Sequence, residues 1–423
     1  MKSATLAATL LLTAALTACA SPQPAPASAL DTLRSTGNMI QLENALRTAD
    51  PANTEFAFST LMLELKMTAD GAAPGRLADW LSQTPDLPDT IISAGYEGLS
   101  ERAHLETRYA DSAQAAAIAL HHASEDRRTD LADQLALAQA ASTVPVSRSI
   151  GASETVLETR TDLARLLRVP VGFDDCASAE LIVDTGAEIS VIRESLAQAF
   201  SMRPLEGSIR VGTPTDFVLG HLVVAEQISV GEMVFTDVVF LTLPDDMLTL
   251  ADGAYIIDGI LGLQVFRTAG RVGWNEGGTQ FLLGTAVPAL QADDAALFWH
   301  TDGVGLAISI QDQRAVGFFD SGASTTLFRS GVLDHLTPGQ ISALDVQSRV
   351  RRGLGGAEEV TTQTLAELEI SLAGASFHFE PATILPPEED IPAADIAAVG
   401  NDLIKQVAIF WLDLELMRYR VER

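Results

Sequence analysis

Two acids in this 423-residue chain stand where an acid is costly. "LIVDTGAEISVI", Leu181 to Ile192, delivers Asp184 at the end of an apolar run, and "AVGFFDSGASTTLF", Ala315 to Phe328, delivers Asp320 in the same way. An ionised carboxylate out of water is heavily penalised unless something meets it. Two carboxylates held close together escape that penalty by sharing a proton, because like charges at short range cannot both ionise. Such a pair can activate water. The ionised member takes a proton from the water as it attacks a carbonyl, and the protonated member donates to the carbonyl oxygen, with no covalent intermediate.

The surrounding residues are of a kind that can position the acids. Each is followed by a hydroxyl residue, Thr185 or Ser321, then by Gly186 or Gly322 and a small Ala187 or Ala323. Asp and Gly favour tight turns, and the glycines let the backbone approach closely enough for amide donors to hold the carboxylates. Further strand-like runs follow each turn, and then an apolar stretch around a glycine: "IIDGILGLQVF" at 256–266 and "IAAVGNDLIKQVAIFWLDLE" at 396–415. The acids are 136 positions apart, so the pattern reads as an internal duplication. From about residue 149 to the end, short β-type runs alternate with Gly, Pro and Asp turns, whereas the part before it reads as helices.

The doubled Asp-Thr/Ser-Gly-Ala turn, each copy with its apolar-glycine segment, resembles the aspartic proteases of the pepsin and retropepsin type, over roughly Ile150 to the C-terminus. The resemblance implies a multidomain α-then-β chain: an N-terminal helical domain, then a mainly β acid protease fold with lobes at 149–290 and 291–423. It also implies that Asp184 and Asp320 meet at a pseudo-twofold axis, that the Thr185 and Ser321 hydroxyls cross-brace the turns, and that Gly262 and the segment around Gly400 pack beneath them. The expected activity is endopeptidase cleavage of a peptide bound in extended form, without cofactor or metal. With both half-sites in one chain, a monomer suffices. Flaps are expected at "VGTPTDFVLG", 211–220, with Gly212, Thr213 and Gly220, and at "RRGLGGAEEV", 351–360, with Gly353, Gly355 and Gly356. Pepsin-like flaps carry a tyrosine that the first stretch lacks, which brings retropepsins closer.

Rival chemistries fit less well. A serine hydrolase built on Ser321 or Ser324 lacks the Gly-x-Ser-x-Gly elbow and a nearby histidine. An inactive peptide-binding or scaffolding protein on the same fold is the alternative, and the intact acids at both turns weigh against it. Cys176 lies in the acidic "FDDCASAE", which raises a thiol's pKa, so it reads as incidental. No metal-ligand spacing occurs among the seven histidines, and adjacent His121 and His122 on a helix are expected to point apart.

Residues 30–148 form the expected helical domain. "NTEFAFSTLMLELKM" from Asn53, with Asn53 or Thr54 as cap, and "DSAQAAAIALHHA" from Asp111 space their apolar residues by three and four. "RYADSAQAAAIALHHA" resembles one helix of a tetratricopeptide-type pair, with Tyr109, Ala113, Ala116 and Leu120 as its packing face. A plain bundle fits equally well, and the domain is free to bind a protein partner.

Lys2 and the apolar run after it have the form of a secretory signal, too short to span a membrane convincingly. It ends in "LTAC", which resembles the lipobox of bacterial lipoproteins. That implies a signal peptide over 1–19, acylation of Cys19, a Pro/Ala-rich tether over 20–29, and a body exported to the periplasm and anchored in a membrane. Ala20 after the cysteine points to the outer membrane of a Gram-negative cell. With Cys19 lipidated, Cys176 has no intramolecular partner. Acidic residues outnumber basic ones 56 to 27, and the net charge of -29 repels phosphate backbones, so nucleic acid is excluded as a partner. With 47% apolar residues the chain can bury substantial cores.

Overall fold

The computed structural model describes residues 28–423 apart from 69, 174–176, 213–216, 251–252, 301–302, 354–355 and 388–394. Cys19 and the signal and tether up to residue 27, Cys176, Thr213 and Gly355 therefore lie outside the described residues. An N-terminal helical region is followed by a mainly β region. The helices are α1 (Ala29–Ser35), α2 (Met39–Leu46), α3 (Thr54–Met67), α4 (Ala73–Gln83), α5 (Asp89–Leu105), α6 (Tyr109–His121) and α7 (Arg128–Ala141). Asn53 caps α3, its side chain accepting from the Glu55 amide at 2.9 Å.

The packing face of α6 differs from the expected one. Tyr109 and Ala116 are buried, but Ala113 and Leu120 are only half-buried, and the rest of the buried stripe is Ser112, Ala115 and Ala119. Small polar residues on α5 draw α6 in on that side: Ser100 Oγ bonds Ser112 O at 3.0 Å, and Ser93 Oγ bonds Ala119 O at 3.0 Å. These contacts rotate the buried face onto Ser112, Ala115 and Ala119, whose small side chains let the two helices approach closely. The two histidines do not point apart either. His122 is the cap residue, already leaving the helix, so its ring meets that of His121 edge-on at 4.9 Å. Its Nδ1 lies 2.7 Å from Asp89 Oδ1.

The β region repeats one pairing scheme. In the first copy Leu167–Gly172 is antiparallel to Ser178–Val183, which runs parallel to Gly259–Leu261. Gly259–Leu261 is antiparallel to Ser190–Arg193, which runs parallel to Met233–Leu243. In the second copy the same four relations join Gly303–Ile310, Gln313–Phe319, Asp395–Val399, Leu327–Phe328 and Ala382–Ile384. Strands flanked on both sides read as continuous apolar runs, and both acid-bearing strands end in three or more consecutive buried residues.

The expected divisions at 148 and 290 are crossed by packing. Arg271–Asn275 and Gln280–Gly284, before residue 290, pair with each other and with Ile409–Asp413 and Glu154–Glu158. One apolar cluster joins Leu30, Ile40 and Leu42 to Phe298 and Val316, and another joins Tyr109, Ala141 and Val144 to Ile189, Leu222 and Val239. A buried polar relay adds to these: Tyr109 Oη donates to Gln264 Oε1 at 2.9 Å, and Gln264 Nε2 donates to Val239 O at 2.5 Å.

Candidate active site

Each acid sits where its strand ends and the parallel neighbour stops. The Asp184 amide donates to Leu261 O at 3.1 Å, and the Asp320 amide donates to Val399 O at 3.0 Å. Each turn is then closed on its own carboxylate, Gly186 N reaching Asp184 Oδ1 at 2.8 Å and Gly322 N reaching Asp320 Oδ1 at 2.9 Å. The amides of Ala187 and Ala323 add a second donor to their respective acids.

The two turns are bound to each other by a reciprocal set of four hydrogen bonds. Thr185 N donates to Ser321 Oγ at 3.0 Å and Ser321 N donates to Thr185 Oγ1 at 3.0 Å. Each hydroxyl passes its own proton on, Thr185 Oγ1 to Phe319 O at 2.9 Å and Ser321 Oγ to Val183 O at 2.9 Å. Both residues are fully buried, so every one of these donors and acceptors would otherwise be orphaned. The exchange brings the acids face to face. A Cβ placed on Gly186 would lie 2.8 Å from Asp320 Oδ1, and one on Gly322 would lie 2.3 Å from Asp184 Oδ2. Only glycine fits at either place.

The carboxyl groups are joined by a side-chain hydrogen bond. Burial, and after it the charge of Asp320, pushes Asp184 well above the usual carboxylate range. Burial also raises Asp320, against the hydrogen bond with Asp184, the amide donors of its own turn and the charge of Arg329. The pair thus retains a proton where isolated carboxylates have lost theirs.

Gly262 and Gly400 occupy matching places beneath the turns. Leu263 N bonds Ala187 O at 2.8 Å, and Asn401 N bonds Ala323 O at 2.8 Å. A Cβ on Gly262 would lie 2.7 Å from Ala187 O, and one on Gly400 would lie 2.6 Å from the Thr325 carbonyl carbon. The amides of these glycines are held by hydroxyls that the sequence reading passed over: Gly262 N donates to Ser190 Oγ and Gly400 N to Thr326 Oγ1, each at 3.0 Å. Two arginines were passed over as well. Arg193 pairs with Asp258 at 3.3 Å, and Arg329 pairs with Asp395 at 2.8 Å. The signal was there to read, since a Ser or Thr stands six residues after each acid and an Arg stands nine after.

Both expected flap segments fall on antiparallel hairpins. Gly212 ends the strand Ile209–Gly212, which pairs with the start of Phe217–Val230, and Gly353 faces Gly356 at the end of the ladder between Asp345–Gly353 and Gly356–Leu365. Gly220 belongs to the first of these hairpins, opposite Ile209 at the far end of its ladder. It is buried inside its strand, and a Cβ there would lie 2.6 Å from Leu241 Cδ1, so it serves close strand packing at the hairpin's base. Among the described residues, no group of three or more His, Cys, Asp or Glu side chains could hold a metal ion, and no helix is long and apolar enough to cross a membrane.

No curated protein matches the chain. Among solved structures it is similar to a retropepsin-like aspartic protease from Rickettsia conorii, at 12% identity over 32% of this chain and 92% of that one, with a TM-score of 0.21. The family model described as an aspartyl protease matches residues 169–265. The first acidic turn and Gly262 thus lie within an aspartyl-protease-like segment, and Asp320 and its turn lie beyond it.

Proposed function

We propose that the chain is a single-chain, two-lobed aspartic endopeptidase in which Asp184 and Asp320 activate a water between them. The observation that carries this reading is the reciprocal bonding of Thr185 and Ser321, which holds two hydrogen-bonded carboxyl groups face to face. One shared proton gives the pair both roles at once. The ionised carboxylate accepts a proton from water as the water adds to the peptide carbonyl, and the protonated one donates to the carbonyl oxygen. The hairpins ending at Gly212 and at Gly353 and Gly356 are the flaps of this reading, closing over an extended peptide. The chain works as a monomer, because one polypeptide supplies both turns.

Location belongs to the same proposal. The signal and lipobox reading puts the protein on the periplasmic side of the outer membrane, tethered through Cys19, with its helical region free to meet a protein partner. Detergent-phase partitioning of wild type and Cys19→Ser tests the anchor. Equal behaviour of the two would remove it without touching the peptidase. The peptidase is tested by profiling peptide-library cleavage across pH with wild type, Asp184→Asn and Asp320→Asn. Cleavage by the wild type alone is expected, and near wild-type turnover by either variant would sink the pair as the active site.

A further inference from the structure

The loop at 162–166 joins Arg160–Thr161 to Leu167–Gly172 and is closed on Asp162, whose Oδ1 accepts from the Ala164 and Leu166 amides, each at 2.9 Å. Asp162 Oδ2 accepts from Arg168 Nε at 2.7 Å and from Tyr255 Oη at 2.6 Å, so the loop has a fixed shape. Within it Arg165 takes a left-handed backbone, φ 66°, which is uncommon for a residue with a side chain. Strained positions of this kind cluster at active sites and ligand clamps.

The loop reaches both acidic turns. Arg165 O accepts from Lys405 Nζ at 2.7 Å and from Asn401 Nδ2 at 3.1 Å, and the same Asn401 Nδ2 lies 3.4 Å from the carbonyl of Ser321, the residue after Asp320. One amide nitrogen thus links the Arg165 carbonyl to the second turn. On the other side Leu166 and Ala187 of the first turn pack half-buried on one apolar cluster, together with Leu241, Leu250 and Tyr255. Leu241 is also the neighbour of Gly220 at the base of the first hairpin, so Arg165 follows on from a surface that runs between that hairpin and the first acid.

The Arg165 side chain is exposed, and its guanidinium has no hydrogen bond or ion pair among the described residues. The acids around it are engaged elsewhere: Asp162 within its loop, and Asp402 with Thr326 N at 2.9 Å and Thr326 Oγ1 at 2.7 Å. Where the first turn carries Glu188, four places after its acid, the second carries Ser324, which adds no charge. Lys405 adds a second cation beside Arg165, its Nζ also donating to Asn401 Oδ1 at 2.8 Å. In a chain with 56 acidic residues to 27 basic ones, an unpaired guanidinium at this place is open to a carboxylate from outside the chain, which its planar fork of donors fits.

We infer that Arg165 is a specificity-determining residue that binds a substrate carboxylate, an acidic side chain or the peptide's own terminus, on the second-turn side and about three residues of extended chain from the scissile bond. This rests on the peptidase reading above and adds a charge preference to it.

The test uses the full chain and one cleavable peptide in which Glu, Gln and Lys are placed in turn at each position on either side of the scissile bond. Expected is a place on one side only where kcat/KM falls in the order Glu, Gln, Lys, with Glu ahead of Gln by about two- to fivefold at low salt and by less as salt is added. Peptides that end at that place, as free acid and as amide, separate the sources: a gain from internal Glu identifies an acidic side chain, and a gain of acid over amide identifies a terminal carboxylate. Arg165→Gln should bring the Glu-to-Gln ratio to about one, and Arg165→Glu should invert the order in favour of Lys. These ratios are read within each variant, so a change in overall rate does not disturb them, and the backbone bonds that hold the loop stay in place. A flat scan for the wild type, or an order that survives in Arg165→Glu, overturns the inference and leaves the peptidase standing. No cleavage of any peptide by the wild type rejects both.

Discussion

At the scale of single residues, the site is two carboxyl groups forced together by hydroxyls and glycines. Replacing either acid by its neutral isostere should abolish cleavage, and the double variant should be no worse than either single one, because the acids act as a unit. The fold should survive, with a defined pH signature. A raised carboxyl pKa means that the native state keeps a proton the unfolded chain has released, so stability declines as pH rises from the ordinary carboxylate value toward the folded one. Asp184→Asn removes that decline. Its melting temperature minus that of the wild type should therefore increase from acid to neutral pH and then level off, and a difference that is constant with pH would argue against a raised pair. The bracing hydroxyls are tested separately. Thr185→Val keeps the shape but strips the partners of Ser321 N and Phe319 O, for an expected loss of about 1–3 kcal/mol in denaturant unfolding.

At the scale of elements, the turn is held from below by a glycine that follows the parallel neighbour strand Gly259–Leu261 and caps the helix Leu263–Ala269. A Cβ on Gly262 would meet backbone atoms, Ala187 O at 2.7 Å and Ile189 C at 2.8 Å, and a backbone cannot swing aside as a side chain can. Gly262→Ala should therefore cost about 1–3 kcal/mol through overpacking and should depress turnover by displacing the Asp184 turn. Gly98 on α5 provides the contrast. Its Cβ would meet the Met62 methyl and the Leu65 side chain, which can give way, so Gly98→Ala should cost less. Unfolding midpoints of the two variants, measured side by side, check the ordering.

At the scale of the whole molecule, the helices share apolar clusters with both copies of the β scheme and bind the helix Leu263–Ala269 through Tyr109 and Gln264. One cooperative transition is expected, with the helical signal and tryptophan emission changing together. Tyr109→Phe removes a buried hydrogen bond across that contact and should shift both probes equally, by about 1 kcal/mol. Two separated transitions would mean that the helical region folds on its own, and limited proteolysis would then release a stable β fragment by cutting near residues 142–153.

Much of the site was written in local sequence. Apolar runs ending in Asp-Thr-Gly-Ala and Asp-Ser-Gly-Ala identify two acidic turns, and their 136-residue offset identifies a repeat, because turn formation and strand burial depend on neighbours in the chain. The helix-then-β division was legible for the same reason, and the Asn53 cap with it. What joins distant segments was not. That Thr185 and Ser321 bond each other, that Gly220 packs against Leu241, and that α6 turns its serine and alanines inward are decided by which surfaces meet. Arg165 is the plainest case. In sequence it is one charged residue in a short loop, and only the meeting of the two copies ties its carbonyl to Asn401 and Lys405 and leaves its guanidinium unpaired among the described residues, since partner count is a property of the assembled molecule.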